Sequence, residues 1–339
     1  MYCLTCPHLV SPPRRIHRIL LLTAREAIIM TAMETAWIIL VILAALAAVL
    51  CLVAIWDDTR FVTRKYTIRS AKVSKKLTFV FVSDLHEKEY GPHNEKLIRA
   101  IEAIHPDAVL SGGDNLIAKK AMYDTTESFM ERPLALYGAL AKEFPVFAVN
   151  GNHEDAMRQP EYNEECPGYE GSHIARDLND AYEEKLRAAD VISLHNERVR
   201  FSGIDLVGLE LPHESYDKLR TWEPTEDVVE ETLGFAPDPE VFTLLVTHNP
   251  KYFPQYAHWG ADASLCGHIH GGIVRFGRHG LLSPDYTFFP TYCCGEYHLY
   301  AGGFDHTLIV SCGMGTHTVP VRIGNPAELV TITILPEEN

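Results

Sequence analysis

Twenty-one consecutive residues, Ala36 to Trp56, carry no charge. At ~1.5 Å of rise per residue a helix of this length spans about 30 Å, the apolar thickness of a bilayer. Trp37 and Trp56 bracket the run, where interfacial aromatics belong. A core helix of a water-soluble domain needs a polar face, and this segment has none. The run is also long for the apolar part of a secretion signal, and no small-residue cleavage site follows it. The expected organisation is an N-terminal segment at 1–35, a single uncleaved transmembrane anchor at 36–56, a basic juxtamembrane linker at 57–76 and one catalytic domain at 77–339.

Charge divides the chain at the same place. The formal net charge is −15, but residues 1–76 hold 11 Lys and Arg against 4 Asp and Glu. The body from 77 onward has a net charge of −22. So acidic a body will not track a nucleic-acid backbone, because it has no cations with which to displace counterions. No nucleic-acid partner is therefore expected. Basic residues flank the span on both sides, from Arg14 to Arg25 before it and from Arg60 to Lys76 after it. The second flank is richer and nearer, which favours a cytoplasmic body on a cell membrane. A translation start at Met33 would remove the first flank and strengthen that orientation. Eight cysteines are present, Cys3, Cys6, Cys51, Cys166, Cys266, Cys293, Cys294 and Cys312. Their spacing fits neither a zinc ribbon nor a disulfide framework, and a reducing compartment is expected. The Cys293–Cys294 pair is read as loop or core thiols.

Within the body, short apolar runs alternate with helical periodicity. Strands are expected at Thr78–Ser83, Asp107–Ser111, Pro145–Asn150, Val191–Leu194, Val199–Phe201, Ile204–Leu211, Val241–Thr247, Ala263–Cys266, Thr307–Ser311 and Leu329–Leu335. Helices are expected at Asn94–His105, Thr125–Lys142 and Ile174–Ala189. Strand–helix alternation early and packed strands late predict an α/β sandwich, two sheets flanked by helices. Ligands in such folds sit beyond the carboxyl ends of strands. The acidic stretch Glu223–Glu231 beside Trp222 is expected as a solvated loop or helix face.

Five polar clusters follow apolar runs: Asp84-Leu85-His86, Gly113-Asp114-Asn115, Gly151-Asn152-His153-Glu154, Thr247-His248-Asn249 and Gly267-His268-Ile269-His270. On extended backbone, residues two apart point the same way, so Asp84 with His86, and His268 with His270, can reach one ion. The neighbouring glycines allow sharp turns and close backbone approach. Carboxylates gathered among imidazoles require cations between them.

In this order the clusters resemble the pattern of the calcineurin-like metallophosphoesterase superfamily: D-x-H, G-D, G-N-H-[DE], a lone His, then G-H-x-H. The span, the basic flank, the "SDLH" opening, "GPHNEKLI", "VNGNHED" and the tail from Thr307 to Ile334 are most similar to the membrane-anchored bacterial YaeI/YkuE-type group. The resemblance covers about residues 77–335. It implies a four-layer α-β-β-α sandwich and a site for two divalent metal ions, Mn, Fe or Zn. Asp84, His86 and His270 would hold one ion and Asn152, His248 and His268 the other, with Asp114 bridging both. A hydroxide shared by the ions would attack phosphorus, and His153 would serve as the catalytic acid. The protein phosphatases of this superfamily orient that histidine with an Asp, and purple acid phosphatases place a metal-binding Tyr, at the position occupied here by Ile117. Both classes are disfavoured, and Glu154 or Asp155 is left as the expected partner of His153. In the YaeI/YkuE-type tail, an Arg often stands where this chain has Cys312. The implied activity is hydrolysis of a phosphoester or pyrophosphate bond, with a lipid or lipid-linked substrate favoured and a soluble cyclic nucleotide or other small diester as the alternative.

Overall fold

Strand Leu77–Val82 shows how the layers arise. Its odd-numbered residues Leu77, Phe79 and Phe81 enter one apolar core, and Val80 and Val82 enter another. A strand presents alternate side chains to opposite faces, so a run with apolar residues on both must be buried on both. The computed structural model describes residues 14–121, 127–159, 174–217, 222–284, 286–316 and 321–337. Cys3, Cys6 and Cys166, and the start of the helix expected at Thr125, lie outside these.

The strands are β1 (Phe61–Ser70), β2 (Leu77–Val82), β3 (Ala108–Ser111), β4 (Val146–Ala148), β5 (Val191–Ser193), β6 (Arg198–Phe201), β7 (Ile204–Leu209), β8 (Thr243–Thr247), β9 (Ala263–Cys266), β10 (Arg275–Phe276), β11 (His279–Gly280), β12 (Gly295–Ala301), β13 (Phe304–Val310) and β14 (Ala327–Pro336). They form two six-stranded sheets, ordered β1-β14-β2-β3-β4-β5 and β12-β13-β9-β8-β7-β6, and a small β10-β11 ribbon. From β2 to β5 the first sheet is parallel. In the second, β7, β8, β9 and β13 are parallel and β6 and β12 are antiparallel edges. Between the sheets lie Phe79, Phe81, Phe147, Leu206, Leu244 and Ile332.

Helices cover the outer faces. On the first sheet, α2 (Glu95–Glu102) buries Leu97 and Ile101, α3 (Glu131–Leu140) buries Leu136 and Tyr137, and α5 (Ile174–Ala188) buries Tyr182 and Leu186. Between α3 and α5 in the chain lies α4 (Asn152–Arg158). The second sheet is covered by α6 (Val228–Leu233) and α7 (Phe253–Trp259). This is the four-layer sandwich expected.

The first helix, α1 (Arg14–Asp58), is 45 residues long. Among the described residues it is the one helix long and apolar enough to cross a membrane, over Ile29–Asp58. The chain divides into two units, Met1–Leu52 and Val53–Asn339. The expected linker at 57–76 is corrected: β1 pairs in parallel with β14 over ten residues, from Phe61–Ala327 to Ser70–Pro336. The segment's seven Lys and Arg residues gave it the composition of a linker, but an edge strand tolerates charged side chains on its exposed face. Asp57 then accepts the Asn325 backbone N–H at 3.0 Å. The helix α4 and the short α6 and α7, which have too few turns for a clear period, were not visible as helices in the sequence.

Candidate metal centre

Five of the clustered residues break the extended path of their strands. Asp84, His86, Asp114, His268 and His270 have φ of 53°, 45°, 53°, 72° and 53°. The left-handed region costs about 1 kcal/mol or more for a residue with a Cβ, and Asp and His are among those that enter it most readily. Pairing of Asp84 with His86, and of His268 with His270, thus comes from left-handed turns and not from extended alternation. The turns bring β2, β3 and β4 of the first sheet and β8 and β9 of the second to one place, at their carboxyl ends.

Seven of the eight residues expected at the site meet there: Asp84, His86, Asp114, His153, His248, His268 and His270. Asp84 Oδ1 lies 3.3 Å from His270 Nε2 and 3.8 Å from His248 Nε2. Asp114 Oδ2 lies 3.1 Å from His248 Nε2, 3.9 Å from His86 Nε2 and 4.0 Å from His153 Nε2. His86 Nε2 and His270 Nε2 face each other at 3.2 Å. Three sets of donor atoms are close enough to share an ion: Asp84, His86 and His270; Asp114, His248 and His268; and His86, Asp114 and His153. Asn152 begins α4, and its buried Oδ1 has no hydrogen-bond partner.

The backbone fixes which nitrogen of each ring turns inward. His86 Nδ1 faces the Leu116 carbonyl at 3.3 Å, His248 Nδ1 the Gly112 carbonyl at 2.7 Å and His270 Nδ1 the Gly315 carbonyl at 3.1 Å. A carbonyl only accepts, so Nδ1 donates, and in the neutral ring Nε2 keeps its lone pair toward the centre. His153 is opposite in sense. Its Nδ1 accepts the Ala118 backbone N–H at 3.1 Å, which leaves the ring proton on Nε2.

Burial and crowding set the charges. Burial raises the Asp84 carboxyl, against the lowering effect of His248. Burial would raise Asp114 too, but His248 and His153 outweigh it and hold that carboxyl well below its usual range. His248 is pushed up to about 9: burial alone would lower it, and Asp114 and Asp84 prevail. His270 falls to about 3 through burial and the nearby Arg322 guanidinium.

Several supporting residues have roles that the sequence did not indicate. Ser83 Oγ donates to Asp84 Oδ2 at 2.7 Å. The Tyr216 ring packs edge-on to His268, with centroids 5.2 Å apart. Glu154 and Asp155, expected beside the His153 ring, serve elsewhere. Glu154 takes up backbone N–H groups of the Asp114 and Gly151 turns. Asp155 Oδ2 pairs with His213 Nδ1 at 2.6 Å. Ser83 and Glu154 stand within recognisable motifs that gave no hint of these roles; His213 and Tyr216 lie in a segment, Leu211–Asp217, that has none.

The donors converge from both sheets, and the family pattern is read from the same residues. A family model described as calcineurin-like phosphoesterase matches residues 77–272, more than half of the chain. The chain belongs to the calcineurin-like phosphoesterase family. A calcineurin-like phosphoesterase is a metal-dependent hydrolase of phosphoesters, so divalent ions are implied, and the donor set fits them: two carboxylates, inward imidazole lone pairs and a buried amide oxygen without a partner. Among relatives of this phosphoesterase, an uncharacterized metallophosphoesterase of Aquifex aeolicus (strain VF5) is 27% identical over 279 residues, covering 80% of this chain and 90% of that protein. The uncharacterized protein YpbG of Bacillus subtilis (strain 168) is 25% identical over 284 residues, covering 80% and 86%. A solved dimetal phosphatase from Danio rerio aligns at 12% identity and a TM-score of 0.39, over 71% of this chain and 88% of that one.

Proposed function

We propose that this chain is a membrane-anchored phosphohydrolase with a dinuclear centre. Asp84, His86 and His270 would hold one ion and Asn152, His248 and His268 the second, with Asp114 placed to serve both. The observation that carries this reading is the 3.2 Å contact between His86 Nε2 and His270 Nε2. Both rings direct Nδ1 at carbonyls, so two lone pairs meet beside two carboxylates, an arrangement that only cations relieve. Mixed nitrogen and oxygen donors suit Mn, Fe or Zn.

Bound ions would supply an activated water and positive charge at the phosphoryl oxygens. The protein's own groups do the rest. Asp114, through Oδ1, accepts the His153 backbone N–H at 2.8 Å, which locks the turn carrying Asn152 and His153. His153 presents its Nε2 proton to the substrate, where it stabilises charge on a phosphoryl oxygen or passes to the leaving oxygen. Tyr216 borders the donors and excludes water from that side.

The long apolar helix supports a membrane site of action and a lipid or lipid-linked phosphoester or pyrophosphate as substrate. It also supports kinship with the membrane-anchored bacterial group, since only two residues, Thr59 and Arg60, separate the end of the helix from β1. The test is metal analysis of the purified full chain in detergent, with turnover measured on phosphomonoesters, diesters, pyrophosphates and a lipid phosphate. Two ions per chain are expected, with the fastest turnover on the lipid phosphate, and Asp114→Asn should lose at least one ion and nearly all activity. Full activity in Asp114→Asn would overturn the bridging role. Faster turnover of water-soluble diesters would overturn the lipid assignment.

A further inference from the structure

Behind the His268–His270 turn, three free thiols share one small apolar pocket. Cys293, Cys294 and Cys312 pack with Ile269, each no more than 4% exposed. Cys294 shares this packed cluster with both other sulfurs, close enough for their thiols to act on its titration. The Arg275 guanidinium reaches the same group, with Nη1 2.7 Å from Cys312 Sγ. A cleft of about 430 Å³ opens beside Cys294, lined by Arg64, Lys65, Tyr66, Arg275 and Arg278 among others. Glu296 and Glu328 supply its negative charge, and Glu328 faces Arg64 at 3.2 Å and Arg275 at 3.5 Å.

We propose that Cys294 is a peroxide-oxidised thiol and that Cys312 resolves it into a disulfide. The thiolate is the reactive form, and cations beside a cysteine favour it. Hydrogen bonds from Cys293 and Cys312 lower the Cys294 thiol from its ordinary range, with Arg275 adding to the effect, while Cys293 and Cys312 are raised. The cleft gives a small hydroperoxide a path to Cys294. The other described thiols lack this setting. Cys266 is fully buried in β9, and Cys51 stands on the apolar helix α1.

The chemistry balances in two steps. The Cys294 thiolate attacks hydrogen peroxide, and the O–O bond breaks. One oxygen becomes the sulfenic hydroxyl; the other leaves as hydroxide. Cys312 sulfur then attacks the sulfenic sulfur, forming S–S and expelling hydroxide, which takes the Cys312 proton and leaves as water. Overall, two thiols lose two electrons and one peroxide is reduced to two waters. Cys312 is the partner because adjacent residues are poorly placed to bridge. Consecutive Cα atoms lie about 3.8 Å apart, below the 4.4–6.8 Å that disulfides span.

The experiment uses the reduced full chain in detergent micelles, exposed to hydrogen peroxide and quenched with N-ethylmaleimide. A Glu-specific protease cuts after Glu296 and separates Cys294 from Cys312. Mass spectrometry should find the two peptides joined, lighter than their sum by two hydrogens, with Cys293 alkylated and the link reversed by dithiothreitol. In Cys312→Ser, dimedone should label Cys294. Absence of the cross-link in the wild-type chain, a Cys293–Cys294 bond, or earlier oxidation at any other cysteine would overturn the proposal. Because the wild-type peptide map carries the result, a variant that fails to fold does not obscure it.

Discussion

Glu154 Oε2 accepts the Asp114 backbone N–H at 2.9 Å, joining the turn after β3 to the first turn of α4. The same carboxylate accepts from Asn115 at 2.7 Å, Leu116 at 3.1 Å and Gly151 at 3.0 Å. Four backbone donors with no other route to water are thereby satisfied, and the two turns that carry Asp114, Asn152 and His153 are held in register.

Glu154→Ala should therefore act on stability as well as activity. It strands buried donors, each costing about 1–3 kcal/mol, and a loss of at least 3 kcal/mol is expected. Denaturant melts of the metal-free chain would measure it. Glu154→Gln, which keeps one acceptor oxygen, should lose roughly half as much. A loss below about 1 kcal/mol in the Ala variant would mean that water replaces the carboxylate.

His153→Ala tests the proposed proton donor. The variant should keep its metal content and lose about 10²- to 10⁴-fold in kcat, the range typical of a general acid. The loss should shrink for substrates whose leaving groups need no proton. Loss of an ion together with rate would make His153 a ligand instead.

Two glycines with left-handed backbones separate strain from crowding. Gly303 has φ +95° and open space where a Cβ would stand, so Gly303→Ala should cost only the conformational penalty of about 1–2 kcal/mol. Gly113 has φ +85°, and a Cβ there would lie 2.2 Å from the Gly151 nitrogen. Gly113→Ala must push apart the Asp114 and Asn152 turns. It should cost well over 3 kcal/mol by thermal melting and reduce metal binding, whereas Gly303→Ala should leave metal binding unchanged.

His195, which is not among the metal donors, provides a pH test. Its Nδ1 lies 2.7 Å from Glu210 and its Nε2 3.2 Å from Glu183. Hydrogen bonds to Glu183 and Glu210 raise it from 6.5 to about 10. A raised histidine stabilises the fold fully below its unfolded value of 6.5, and that contribution fades as pH climbs through about 10. The ring is about one-third exposed, so solvent screening leaves about 1 kcal/mol. His195→Gln should lower Tm more at pH 6 than above pH 10. An equal loss at both would place the proton elsewhere.

Much of the site was legible because its residue types are chemically scarce at strand ends. Asp84, Asp114 and the histidines announced themselves through Asp-x-His, Gly-Asp and His-x-His spacings, and β2, β3 and β9 through unbroken apolar runs. What escaped was long-range or disguised by charge. Glu154 is a surface-type residue that only the assembled turns enclose. Arg64 and Lys65 made β1 look unstructured, although Tyr66 and Ile68 on the same strand pack into the inter-sheet core. Tyr216 reaches the donor histidines, and His213 reaches Asp155, through tertiary packing, which local spacing does not encode.

The sheet order β1-β14-β2 also constrains how the protein is made. Strand β14 lies between the first two strands yet leaves the ribosome after both. Until it arrives, β1 has no neighbour in its sheet, and β2 exposes an edge rich in Phe and Val. The nascent chain therefore carries an open, adhesive slot throughout synthesis, and the sheet closes only with the insertion of Ala327–Pro336.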